Sequence, residues 1–264
     1  SLCALSLCLQ AAPPAFLKAG KGPGILLIHG FGGNKEVWAG TAAELARDHT
    51  VVSVDLPGSG SNPGPAVVEG RADFGAVARD LAALVRKEGL APCLVVGHSM
   101  GGPIAARTVL EDPTAFRGLV LVDSFLSAIP PAYLEGAVTA LGKDPGPALE
   151  AFFKPMTAGP DQLKRLVADA RRVPPATLQA YLRAMMVDPL AGRRAQLDLP
   201  VLQMAAGPRE ADPAKEAATL AQYGFQGLPA FRAVYFPPAR HWVMWDTPEV
   251  FLVALRAFEG GLGR

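Results

Sequence analysis

Two hydrophobic periods alternate along the chain. Short contiguous apolar runs at residues 24–29, 51–54, 93–96, 118–122, 201–205 and 233–236 read as strands buried on both faces. Between most of them, apolar residues return every three or four positions, the spacing of a helix with one covered side. Residues 35–47, 103–110, 213–222 and 248–258 follow that pattern. So do residues 72–88, where Val77, Leu81, Leu84 and Val85 form one stripe and Gly89 supplies the stop. The final helix is expected to turn Val250, Phe251, Leu255 and Phe258 inward. At the start of the chain, Leu5, Leu7 and Leu9 alternate with Ser6, Cys8 and Gln10, which predicts an edge strand over residues 1–9. A processed leader is the alternative there, although no basic segment and no initiating methionine precede the apolar residues. Residues 15–19 are expected to pair with that strand and to end in the turn Gly20-Lys21-Gly22-Pro23.

Strands that alternate with helices imply an α/β fold with a mostly parallel sheet, covered on both faces. Right-handed crossovers then bring the loops after the strand C-terminal ends to one edge. Residues 124–199 break the rhythm. They hold four short helical stretches (132–141, 147–153, 162–172 and 175–186) and no strand pattern. An insertion there reads as a helical cap over the sheet edge, with residues 1–123 and 200–264 as the core. Phe152, Phe153, Met156, Tyr181, Met185 and Met186 are candidates to line a pocket beneath it or to fill its own small core.

Bulk properties narrow the function classes. The chain has 264 residues, half of them hydrophobic, and a formal net charge of +1. That length suits one large domain, and that charge gives nucleic acid or an anionic membrane surface no purchase. No apolar run is long enough to span a bilayer as a helix. Cys3, Cys8 and Cys93 make an odd count without metal-ligand spacing; a disulfide framework is not expected, and Cys93 falls in a buried strand. With no disulfide signal, the default compartment is cytoplasmic, a secreted or periplasmic location following only if a leader was removed.

The chemistry centres on Gly97-His98-Ser99-Met100-Gly101-Gly102, placed between a predicted strand and a predicted helix. This is the G-x-S-x-G arrangement, in which a strained turn exposes a serine hydroxyl at the end of a sheet. Serine needs a base to act as a nucleophile at neutral pH. Of the four histidines, His29, His49 and His98 lie at a strand end, a polar helix end and beside the serine. His241 follows the last strand and reaches the same edge as Ser99, so it is the candidate base. Two regions offer an acid to orient it: Asp123, at the tip of the strand after the elbow helix, and Glu210 or Asp212, in the loop after residues 201–205. Capping a turn or a helix is the alternative use for each of these carboxylates. An oxyanion needs N–H donors; the amides of Met100 and of Phe31, within His29-Gly30-Phe31-Gly32-Gly33, are the candidates. That glycine loop lacks the pattern of a phosphate cradle.

Four segments together resemble the α/β-hydrolase-fold serine hydrolases of the esterase and lipase type: His29-Gly30-Phe31-Gly32-Gly33, Asp55-Leu56-Pro57-Gly58-Ser59-Gly60-Ser61, Gly97-His98-Ser99-Met100-Gly101-Gly102, and Arg240-His241-Trp242 before Asp246-Thr247-Pro248. The resemblance implies an eight-stranded sheet with the cap after the sixth strand, a serine–acid–histidine triad in that chain order, and no cofactor. The family's usual acid position after the seventh strand is imperfectly matched, with Glu210 in place only if Gly207 is the matching glycine. Some members carry the acid after the sixth strand, which favours Asp123. The expected activity is hydrolysis of a small-molecule carboxylic ester. Lactone opening, carbon–carbon cleavage, amide or peptide hydrolysis and peracid formation use related machinery, and a ligand-binding receptor on the same fold is the non-enzymatic alternative. An aspartate nucleophile, as in related dehalogenases, is argued against by Ser99.

Overall fold

The computed structural model describes residues 15–65 and 67–262. Its main sheet has seven strands: β1 (Phe16–Ala19), β2 (Gly24–Ile28), β3 (Thr50–Val54), β6 (Cys93–His98), β7 (Phe116–Val122), β8 (Val201–Ala206) and β9 (Phe231–Phe236). A two-stranded hairpin, β4 (Val67–Val68) and β5 (Arg71–Ala72), stands apart from it and was not foreseen from the sequence. The spatial order is β1-β3-β2-β6-β7-β8-β9, parallel throughout except for the antiparallel β1–β3 pair. The inner strands are the contiguous apolar runs: Ile25–Ile28, Leu94–Val96 and Leu119–Val122 are fully buried, as strands covered on both faces must be.

The strand predicted over residues 1–9, the eighth of the expected sheet, lies outside the described residues, as do Cys3 and Cys8 and the question of a leader. Residues 16–19 form a strand, and its partner among the described residues is β3, with Phe16 opposite Val54. A parallel neighbour on one side of β3 leaves its other edge free, and β1 covers that edge.

Helices flank the sheet. α1 (Ala39–Leu45) packs on β3, and α3 (Gly101–Glu111) packs on β2, β6 and β7 and against α2 (Phe74–Lys87). α2 starts where the Asp73 carboxylate accepts the Ala76 N–H (3.0 Å), and its predicted stripe is buried. α8 (Pro213–Gln222), the short α9 (Val243–Asp246) and α10 (Pro248–Gly260) complete the C-terminal part. On α10, Phe251, Leu255 and Phe258 are buried, but Val250 is 59% exposed. Positions 251, 255 and 258 share one face, and residue 250 falls about 100° away from 251 around the helix.

Between β7 and β8 run α4 (Pro131–Lys143), α5 (Pro145–Phe153), α6 (Pro160–Ala170) and α7 (Pro175–Met185), within a residue or two of the predicted stretches at most ends. Each starts with proline at its first position, where the missing N–H has no bond to make. α4 packs on α5 and α7, and α5 on α6. The Tyr181 hydroxyl donates to the Pro57 carbonyl (2.7 Å), tying α7 to the loop after β3. Among the described residues no helix is long and apolar enough to cross a membrane.

Candidate active site

Parallel registry places the tips of β2, β6, β7, β8 and β9 side by side, with Ile28 opposite Gly97, His98 opposite Val122, and Ala206 opposite Phe236. Ser99 stands directly beyond β6 with φ +50°, in the left-handed region that an L residue occupies only when its surroundings enforce it. The surroundings do so on three sides. The Ser99 N–H donates to the Val122 carbonyl (2.9 Å), and its own carbonyl accepts from Gly102 N–H (2.9 Å) and from the Ser124 hydroxyl (2.6 Å). The turn is tight enough that a methyl group on residue 97 would sit 2.3 Å from the Gly101 carbonyl oxygen. Only glycine fits there.

Asp123, at the tip of the neighbouring strand, has φ +43°. Its N–H donates to the Met204 carbonyl (2.8 Å), and its Oδ1 accepts the Ala206 N–H (3.0 Å). The remaining oxygen, Oδ2, lies 2.6 Å from His241 Nδ1. A carboxylate accepts, so the imidazole proton sits on Nδ1 and the lone pair on Nε2. The other two carboxylates are occupied elsewhere. Glu210 Oε1 accepts the Asp212 N–H (3.1 Å), and Asp212 caps α8 by accepting the Ala214 N–H (2.9 Å). Neither bonds to His241.

The backbone of His241 is held from both sides, its N–H donating to the Met156 carbonyl (3.2 Å) and its carbonyl accepting His98 Nε2–H (3.0 Å). His98 is buried and, among the described residues, its Nδ1 has no hydrogen-bond partner; burial, and secondarily the nearby His241, push its pKa well below the ordinary histidine value. Nothing in the local sequence pointed to this use of His98, because the contact spans 143 positions. His49, read as a residue at a polar helix end, is instead buried between Asp48 Oδ1 and Glu259 Oε1, each 2.7 Å away.

On the other side of Ser99, residue 30 comes so close that a methyl group there would lie 3.0 Å from Ser99 Cβ. His29 is buried, with its pKa lowered to about 4 by desolvation. The neutral ring accepts the Leu56 N–H at Nε2 (3.0 Å) and donates from Nδ1 to the Gly30 carbonyl (2.7 Å). Gly33 N–H reaches the same carbonyl (3.2 Å). A trans peptide points its N–H opposite its C=O, so the Phe31 N–H is turned away from the His29 ring and from Gly33. Met100 is the cap residue just before α3 and adjoins Ser99 on its other flank.

Ser99, His241 and Asp123 line one cavity of about 1030 Å³. Among the described residues the Ser99 hydroxyl makes no hydrogen bond to protein. Phe31, Phe125, Phe152, Phe153 and Trp242 supply aromatic walls, and Gly136, Ala137, Ala140, Ala148 and Ala151 line the side formed by α4 and α5. Of the residues read as lining either a pocket or the cap's own core, Tyr181 and Met186 do not line this cavity, and Tyr181 is buried in contact with Phe74. Cys93 is buried in β6, and desolvation raises its thiol pKa to about 12. Among the described residues no cluster of His, Cys, Asp and Glu is arranged to hold a metal ion.

The family model described as the alpha/beta hydrolase family matches residues 25–254. The chain belongs to this family. A pimeloyl-[acyl-carrier protein] methyl ester esterase of Aeromonas hydrophila is 28% identical over 256 residues, covering 91% of this chain and 97% of that protein. An uncharacterized protein of Mycobacterium tuberculosis is 39% identical over 115 residues, 42% of this chain but only 31% of the relative's own length. Among solved structures, an esterase from Exiguobacterium antarcticum superposes with a TM-score of 0.79 at 16% identity, covering 93% of this chain and 94% of that one. This last likeness is one of fold. It agrees with the expected family architecture, here built on seven described strands.

Proposed function

We propose that this family member hydrolyses carboxylic esters through an acyl-enzyme on Ser99. The observation that carries the proposal is the 2.6 Å contact between Asp123 Oδ2 and His241 Nδ1, on the cavity that also contains a strained, hydroxyl-bearing turn. His241 Nε2 takes the Ser99 proton as the oxygen attacks the carbonyl carbon. The amides of Phe31 and Met100 hold the developing oxyanion. The imidazolium then protonates the leaving alcohol, and water, deprotonated in turn by His241, releases the acid. Asp123 keeps the proton on Nδ1 and stabilises the imidazolium without being protonated itself.

Residues 124–199 serve in this reading as a cap over a core of residues 1–123 and 200–264. The cap's alanine-rich wall and the aromatic rings beside it suit an extended apolar acyl chain. The likeness to a methyl ester esterase supports ester chemistry with a small leaving alcohol. The test is Ser99→Ala assayed with p-nitrophenyl butyrate. Turnover is expected to fall by about 10⁶-fold, the loss that removal of a triad serine produces, and covalent labelling by a fluorophosphonate is expected to vanish. Turnover or labelling that persists in Ser99→Ala rules the proposal out.

A further inference from the structure

The loop that carries His241 is fastened to the segment containing α5 and α6 at several points. The His241 N–H donates to the carbonyl of Met156, whose residue lines the cavity. One position earlier, the Arg240 N–H donates to Asp246 Oδ2 (2.7 Å). The other oxygen of Asp246, Oδ1, accepts the side-chain amide of Gln162 from α6 (2.9 Å). Gln162 is itself anchored, its Oε1 accepting the Ala158 N–H (2.7 Å). Farther along α6, the Arg165 guanidinium lies 4.4 Å above the Trp245 ring, which stacks on Trp242 at 6.0 Å. Trp242 in turn meets the His241 imidazole edge-on at 4.9 Å. Asp246 thus bridges the backbone adjoining the histidine and a helix 84 positions away.

We propose that Asp246 and Gln162 are positioning residues for His241, latching α6 to the histidine loop so that seating of this helix and productive placement of the imidazole are one event. This rests on the reading of His241 as the general base. Neither side chain lines the cavity or meets the reacting atoms, so any effect on turnover passes through the loop. The physical lever is distance: a base displaced by about 1 Å can cost about a hundredfold in rate. A latch of this kind acts on kcat and leaves ground-state binding in the cavity nearly unchanged.

The pair is tested by exchanging its polarity. Gln162→Glu sets a carboxylate against the Asp246 carboxylate and is expected to lower kcat for p-nitrophenyl butyrate about tenfold, with KM within about twofold, an effect of the size one lost hydrogen bond to a charged group can produce. Fluorophosphonate labelling slows in the same proportion. Asp246→Asn alone still accepts from Arg240 N–H, but the NH2 of the new amide meets the Gln162 NH2 donor to donor, so the bond between them is lost and kcat is expected to fall about threefold. In the double variant that amide donates to the new carboxylate at position 162, and kcat recovers to within about threefold of the parent, the recovery that direct coupling within one network predicts. Should Gln162→Glu not fold, Gln162→Ala removes the bond without adding charge and is expected to lower kcat by about threefold. A parental kcat in both Gln162 variants, or a double variant as slow as Gln162→Glu, overturns the latch. His241→Ala separates the two ideas: if it retains turnover the ester-hydrolase reading fails, whereas a dead His241→Ala beside fully active Gln162 variants removes the latch alone.

Discussion

Two residues of this site sit in backbone conformations that cost about 1–3 kcal/mol each for an L residue: Ser99 at φ +50° and Asp123 at φ +43°. Both end parallel strands that are neighbours in the sheet, and both are held there by backbone bonds to the next strand, Ser99 to Val122 and Asp123 to Met204. The sheet therefore fixes the spacing of Ser99 and Asp123, while two loops carry His241 and the glycine segment. A prediction belongs at this scale. Asp123→Asn preserves shape but offers an N–H where an acceptor is needed, which favours the wrong imidazole tautomer; kcat is expected to drop about 10⁴-fold with folding intact. Glu210→Gln, by contrast, leaves kcat within about twofold, because Glu210 makes its hydrogen bond to Asp212 N–H and none to the imidazole. Steady-state kinetics on the two variants decide between the carboxylates that the sequence left open.

The elements divide the labour between rigidity and selectivity. β6, β7 and β8 are buried without interruption at their centres. Truncating a core side chain such as Leu119 would open a cavity costing about 2–5 kcal/mol. α4 and α5, by contrast, present small residues to the cavity, and substitution there changes volume with little disturbance to the sheet. Ala140→Phe is expected to shift the preferred p-nitrophenyl ester toward shorter acyl chains, lowering kcat/KM for the octanoate about tenfold relative to the acetate, within the range hydrophobic pockets achieve for added or lost bulk. An unchanged chain-length profile in Ala140→Phe would place the acyl group elsewhere in the cavity. Elements were also where the sequence was easiest to read. α2 carries a clear stripe and a capping aspartate, and the four helices between β7 and β8 carry prolines at their starts. Val250 misled because the apolar pair Val250-Phe251 straddles the helix face, and only packing selects which of two neighbours turns inward.

At the scale of the whole molecule, burial of neutral histidines links stability to pH. His29 stays unprotonated in the fold down to about pH 4, whereas in the unfolded chain it gains a proton near 6.5. Between those values only the unfolded state takes up the proton, so stability is full above 6.5 and falls as pH drops toward 4, by about 3 kcal/mol at 1.36 kcal/mol per unit. His98, shifted in the same direction by burial, adds to the loss. Carboxylates held low by arginine, such as Asp48 and Asp112 at about 2, contribute only at more acid pH. Urea midpoints measured from pH 7.5 to 4.5 are expected to fall steadily below 6.5, and His29→Gln, whose amide still offers a donor and an acceptor, should flatten the slope. An identical slope in His29→Gln would assign the effect to other groups.

The sequence by itself determined the alternation of strand and helix, the position of the strained serine turn, the glycine loop beside it and the histidine after the last strand. These follow from local forces: the period of apolar residues, the conformational freedom of glycine and the geometry of proline. It did not determine which carboxylate meets His241, because Asp123 and Glu210 both follow strands whose tips share one edge, and choosing between them takes the direction of side chains 118 positions apart. The same holds for His98 beneath the His241 carbonyl, for Gln162 against Asp246, and for β1 beside β3. Each is a long-range contact, and such contacts leave no periodic trace in the chain because they depend on how the finished sheet and its covering helices are stacked.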